Sequence, residues 1–115
     1  MDQGKSFQAV VNDTVGLIKE FEKREQKPWG VEGAMIELMK QVGELSACVM
    51  MKEKYYLKER ELSPKYKNIE NNIGDELYDI LTLTVRIADH YGIDLEEECR
   101  KEIKHSMDIF EKDKK

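Results

Sequence analysis

The chain has 115 residues, 40% of them hydrophobic and 37% charged, with 19 Lys+Arg against 24 Asp+Glu for a net charge of −5. One compact domain over residues 1–115 is expected, because the apolar share is too high for a disordered chain, and a net acidic chain lacks the basic face that a nucleic-acid backbone requires. No apolar run approaches the ~20 residues that cross a bilayer, the start Met1–Phe7 carries no charged-then-apolar signal segment, and Cys48 and Cys99 lie far apart with no CxxC pair, so a cytoplasmic protein with two reduced core thiols is expected, without membrane or zinc.

The hydrophobic period is helical throughout, with no sustained alternation and no Asn-Gly hairpin. A first helix is predicted after Ser6 as N-cap, with Phe7, Val10, Val11, Thr14, Leu17, Ile18 and Phe21 on its buried face. The polar run Glu22–Lys27 and then Pro28-Trp29-Gly30 end it and turn the chain. A second helix is predicted from about Val31 past Met50, with a core stripe of Val31, Met35, Leu38, Val42, Leu45 and Val49. The charged segment Lys52–Glu61 fits either a continuation of that helix or a loop, and Ser63-Pro64 interrupts any helix there. A third helix is predicted to begin between Pro64 and Ile73 and to carry Ile73, Leu77, Ile80, Leu81, Thr84, Ile87, Ala88 and Tyr91, with Gly92 as its C-terminal stop. Asp94-x-x-Glu97 reads as the cap of a fourth helix bearing Leu95, Cys99, Ile103, Met107 and Phe110. Four amphipathic helices around one core make an all-α, four-helix bundle. Their apolar edges exceed what one chain covers, so completion by homo-oligomerisation, as a dimer or tetramer, is expected.

Two polar faces concentrate the chemistry. Glu37, Gln41 and Glu44 recur at i, i+4, i+7 on the second helix, and Asn72, Glu76 and Asp79 do the same on the third. Each of these residues immediately precedes a position of the apolar stripe, so each polar set runs ~100° around the helix from it. With the two helices side by side, Glu44, Glu76 and Asp79 would gather in a partly dry cleft, where carboxylates need a cation. Oxygen ligands suit Mg²⁺ before Zn²⁺. The spacing alone is also what solvated acidic faces paired with surface lysines would show.

The segments Leu38-Met39-Lys40-Gln41-Val42-Gly43-Glu44-Leu45 and Asp75-Glu76-Leu77-Tyr78-Asp79-Ile80-Leu81 resemble the two signatures of the MazG-like, all-α nucleoside triphosphate pyrophosphohydrolases, E-x-x-E on one helix and E-x-x-D on the next. Glu76-x-x-Asp79 keeps the second half, and Arg86–Glu97 and Trp29-Gly30 are similar to the flanking stretches, so the resemblance runs from about Trp29 to Glu98. It implies a four-helix MazG-like domain that cleaves (d)NTP to (d)NMP and pyrophosphate with Mg²⁺ or Mn²⁺, in a house-cleaning role. It implies Glu44, Glu76 and Asp79 as catalytic metal ligands, with Gln41 as a weaker fourth. Lys40, Arg86, Lys101 and Lys104 are the candidate phosphate clamps, and Trp29 is the candidate base-stacking residue. The chain departs from the pattern where Gln41 replaces the leading carboxylate, where Lys40 replaces a frequent acid, and in the long stretch between the motifs. An amide oxygen ligates without charge, so weaker Mg²⁺ binding is expected, with Glu37 and Asp75 as spare acids nearby. Two other readings stay open: a catalytically impaired helical protein that binds nucleotide or a partner, and a plain dimerisation module.

Overall fold

The computed structural model describes residues 6–64 and 72–113. Its regular elements are all helical: α1 (Phe7–Glu22), α2 (Gly30–Lys52), the short α3 (Lys58–Glu61), α4 (Ile73–His90) and α5 (Leu95–Asp113). The four long helices are those the periodicity predicts. The ambiguous segment after Lys52 is a turn followed by α3, and any start of the third helix before Asn72 lies outside the described residues.

Local chemistry sets the helix ends. The Ser6 hydroxyl accepts from the Ala9 N–H at 3.1 Å and opens α1. Asp94 Oδ1 accepts from the Glu97 N–H at 3.0 Å and opens α5. Asn72 Oδ1 accepts from the Asp75 N–H at 3.1 Å. Asn72 is therefore the cap of α4 and not the first member of its polar face. Each cap satisfies one of the donors that a helix start leaves without an intrahelical partner.

Both α2 and α4 end in the same double hydrogen bond. At α4, Gly92 at φ 66° carries the left-handed turn, with Ile93 N–H donating to Ala88 O and Gly92 N–H to Asp89 O. At α2, Tyr55 N–H donates to Met50 O and Lys54 N–H to Met51 O, but the left-handed position at φ 60° is a lysine. An L side chain there costs about 1–2 kcal/mol that glycine avoids. Lys54→Gly is expected to stabilise the protein by about 1 kcal/mol, read as a higher urea midpoint at unchanged slope.

The chain divides into two compact units, Met1–Pro28 with Val85–Lys115, and Trp29–Thr84. The first contains α1, the end of α4 and α5, and buries Ala9, Thr14, Ile18, Val85 and Ala88. It also contains a largely buried ion pair. Arg86 donates to Glu25 through Nη1 at 2.8 Å and Nη2 at 3.3 Å. The stretch that sequence marks only as a polar linker thus supplies an interior carboxylate.

The second unit contains α2, α3 and α4 through Thr84, and buries Ala34, Cys48 and Leu83. On α2 the buried residues are Ala34 and Cys48, with Leu38, Gln41 and Leu45 half-buried between them. Met35, Val42 and Val49 of the expected core stripe are exposed. On α4, Leu77 is 54% exposed while Glu76 and Asp79 are half-buried. The inward faces are therefore turned toward the polar stripes. An apolar stripe this wide has two edges, and the contacts within the unit cover the edge that adjoins the acids.

The same correction applies to α1 and more strongly to α5. Phe7, Val10 and Phe21 are exposed on α1. No residue of α5 is buried, and Ile103, Met107 and Phe110 stand in water. Cys99 on α5 is exposed as well, so only Cys48 is the core thiol expected of both cysteines.

Candidate functional site

The two polar stripes belong to the same unit, the second. On α2, Gln41 Nε2 donates to Glu37 Oε1 at 3.1 Å. A carboxylate can only accept, so this bond fixes the amide orientation and leaves the Gln41 carbonyl as the free end. That Oε1 atom is buried and has no hydrogen-bond partner, an arrangement that costs about 1–3 kcal/mol unless a donor or cation meets it. Glu76 Oε2 on α4 is likewise out of contact with water.

The electrostatics show which groups face each other. Burial pushes the Asp79 carboxyl above the ordinary aspartate range, and the charges of Asp75, Glu44 and Glu37 push it further. Asp75 is on its own helix, but Glu44 and Glu37 belong to α2. The acids of the two helices therefore share one field. Cys48 reports the same convergence from the α2 side: burial raises its thiol, with Glu76 and Glu44 adding to the effect. It is held protonated, and so is no competing soft ligand.

Lys40 lies on the solvent side of this group. Its ammonium is 3.5 Å from Glu37 Oε1 and 3.6 Å from Glu44 Oε1, and its side chain is 61% exposed. The Glu37 and Glu44 charges raise it above the usual lysine range. In this arrangement both α2 carboxylates lean toward one ammonium at the helix edge. Among the described residues, no three of His, Cys, Asp or Glu are gathered closely enough to hold a metal ion as they stand.

The remaining candidates are placed as follows. Trp29 precedes α2, is partly exposed, and its carbonyl accepts from the Gly33 N–H at 3.0 Å. A Cβ on Gly33 would come within 2.6 Å of the Trp29 Cβ. This glycine is what lets the tryptophan sit against the first turn of α2, in the same unit as the acids. Arg86, Lys101 and Lys104 belong to the other unit. Arg86 is held by Glu25 in a largely buried ion pair. Lys101 and Lys104 are exposed and paired with Glu98 and Asp108 on their own helix.

No protein-family profile, curated protein or solved structure matches the chain. What the site can do follows from its donors. Glu37, Glu44, Glu76, Asp79 and the Gln41 carbonyl are all oxygen donors, the type that hard divalent cations prefer, but they are not gathered into a ligand set as they stand. Two features escaped the sequence. Lys40 at i+3 from Glu37 and four residues before Glu44 is an ion-pair spacing that could have been read as such. The Glu25–Arg86 pair, 61 residues apart, left no local signal.

Proposed function

We propose that the chain is a divalent-cation-dependent nucleotide pyrophosphohydrolase, cleaving (d)NTP to (d)NMP and pyrophosphate at the α2–α4 site of the second unit. The observation that carries this reading is the crowding at half-buried Asp79, whose carboxyl is raised first by burial and then by the charges of Asp75 on its own helix and of Glu44 and Glu37 on α2. The buried Gln41 carbonyl fits the same ligand, because a cation would meet an oxygen that has no donor. Gln41, Glu44, Glu76 and Asp79 would hold the ion, with Glu37 in reserve. When bound, Mg²⁺ or Mn²⁺ supplies neutralisation of phosphate charge and a more acidic water. A carboxylate of the set that does not hold the ion would orient the attacking water and accept its proton. The water oxygen bonds to the α-phosphorus, the bond to the α,β-bridging oxygen breaks, and pyrophosphate leaves with that electron pair. Lys40, beside Glu37 and Glu44, would be a cation for phosphate oxygens, and Trp29 would be the platform for the base.

Pyrophosphate release from a panel of NTPs and dNTPs, with Mg²⁺, Mn²⁺ or chelator, tests the reading. Metal-dependent release lost in Glu76→Gln is expected. Gln41 favours a second reading, nucleotide binding without turnover. In that case nucleotides raise the melting temperature but no pyrophosphate appears. Gln41→Glu adds one charge to the site and is expected to tighten Mg²⁺ binding. Unchanged affinity would remove Gln41 from the site.

The exposed apolar edges support self-association as the completion of the bundle. Met35, Ile36 and Met39 of α2 are 45–72% exposed on one helical face, a density of apolar surface typical of subunit contacts. Met39→Lys is expected to shift the sedimentation mass toward the monomer while leaving the helical content intact. Among the described residues no helix is long and apolar enough to cross a membrane, and a nucleotide-cleaning role places the protein in the cytoplasm.

A further inference from the structure

We infer that the outer face of α5, centred on Ile103, docks against the same face of a second copy of this chain. Leu95 and Glu96 at the start of α5 are half-buried, and every residue from Glu97 to Asp113 is exposed. A helix holds its shape in a protein mainly by packing an apolar face, since intrinsic propensity contributes little. That face exists on α5. Cys99, Ile103, Met107 and Phe110 recur at the spacing of one helical side, and Ile103, Met107 and Phe110 are 62%, 53% and 57% exposed. Tyr91 and Ile93, in the turn that leads into α5, are exposed as well. The area suits a twofold pair. A 19-residue helix is ~28 Å long and ~10 Å across, so burying one side of it takes on the order of 500 Å² from each copy. The pair then reaches the ~1,000 Å² at which specific interfaces begin. The rim suits a copy better than a strongly charged partner. Glu102 and Lys104 stand on opposite edges of Ile103, and Arg100 and Lys104 pair with Glu96 and Asp108 of the same helix. A nucleic acid or a polybasic protein would be repelled along one edge, whereas a copy presents both signs. Twofold pairing of one patch with itself is also the commonest closed assembly. The surface lies in the first unit, apart from the Met39 face of the second, and does not rest on the catalytic reading.

Sedimentation of the full chain over a concentration series reads the pairing. Ile103→Lys is expected to lower the wild-type mass about twofold and to keep a cooperative thermal unfolding, because Ile103 is mostly exposed within its own chain. Lys112→Gln, on the opposite side of α5, is expected to keep the wild-type mass. Cys99 gives a second readout on the unaltered face. It is exposed while Cys48 is buried, so the thiol that iodoacetamide alkylates fast reports α5. It is expected to react several-fold faster in Ile103→Lys than in the wild type at equal concentration. A wild type that is monomeric at every concentration overturns the inference. So does an associated wild type whose mass survives Ile103→Lys, even where Met39→Lys lowers it, because association then runs through α2. Equal alkylation of Cys99 in wild type and Ile103→Lys overturns it as well. Faster alkylation in Ile103→Lys with no change in mass does the same, since the face is then covered from within the chain. Pyrophosphate release enters none of these arms, so failure here and failure of the catalytic reading are separate results.

Discussion

Asp79→Asn is expected to melt at a higher temperature than the wild type in chelator, and to release pyrophosphate at about a hundredth of the wild-type rate or less. The two effects share one cause. Burial and the charges of Asp75, Glu44 and Glu37 disfavour the ionised Asp79 carboxylate in the folded protein. At neutral pH that carboxylate is a destabilising group, and the neutral, nearly isosteric amide removes the penalty. A metal ion supplies several kcal/mol to a phosphoryl transfer, and each ~1.4 kcal/mol is a factor of ten, which sets the scale of the catalytic loss. The pH dependence has a definite sign. A raised carboxyl binds its proton more tightly in the folded state than in the unfolded state. Its penalty is therefore complete above the folded pKa and fades as pH falls through that value toward the ordinary aspartate range. The melting advantage of Asp79→Asn should shrink over that interval. Added Mn²⁺ should reverse the order, raising the wild type by mass action and leaving the variant behind. Thermal melts from pH 8 downward, with chelator and with Mn²⁺, read all three effects. An Asp79→Asn protein that melts below the wild type in chelator at pH 8 would remove Asp79 from the crowded acidic field. Gain of stability on loss of a functional carboxylate is the usual sign of a site held against its own repulsion.

The parts of this structure that sequence makes legible are those fixed within a few residues. Ser6, Gly92 and Asp94 each act where the local pattern places them, because caps and left-handed stops are satisfied by their immediate neighbours. The end of α2 was not legible, because its left-handed residue is Lys54, a type with no preference for that conformation. The period of each apolar stripe was legible, but the line at its centre was not. In α2 the stripe through Met35, Val42 and Val49 predicts burial, whereas Ala34 and Cys48 are the buried positions. Periodicity reports an angle around one helix, and the neighbour that covers it is a tertiary fact. The acidic site shows the same division. The i, i+4, i+7 set on α2 and the Glu76-x-x-Asp79 pair on α4 could be read directly, but their mutual field on Asp79 depends on how the two helices pack. Arg86 illustrates the limit from the other side: a basic residue beyond a catalytic-looking motif invites a substrate role, while its distant partner Glu25 lies in a stretch that reads as linker.

That pair should dominate the stability of the first unit. Arg86 and Glu25 are joined by two parallel hydrogen bonds, and their side chains are only 14% and 8% exposed. The fork geometry matches guanidinium to carboxylate, adding geometric specificity to charge. Glu25→Ala takes away that bidentate partner and leaves the guanidinium in a place where water reaches it poorly. Removing one member of a buried pair costs about 3–5 kcal/mol, against a total of about 5–15 kcal/mol for an ordinary domain. Urea unfolding should show a large fall in midpoint, with loss of the helical signal beginning well below the wild-type transition. Glu25→Gln keeps a carbonyl acceptor and should fall between the two. The joint replacement Glu25→Leu with Arg86→Met is the decisive arm, because it removes both charges and restores apolar contact. It should recover most of the lost stability, since a buried pair contributes little beyond what a matched apolar pair supplies. If pyrophosphate release also returns in that double variant, the role of Arg86 is confined to folding. If stability returns while release does not, Arg86 contributes to the chemistry as well as to the core.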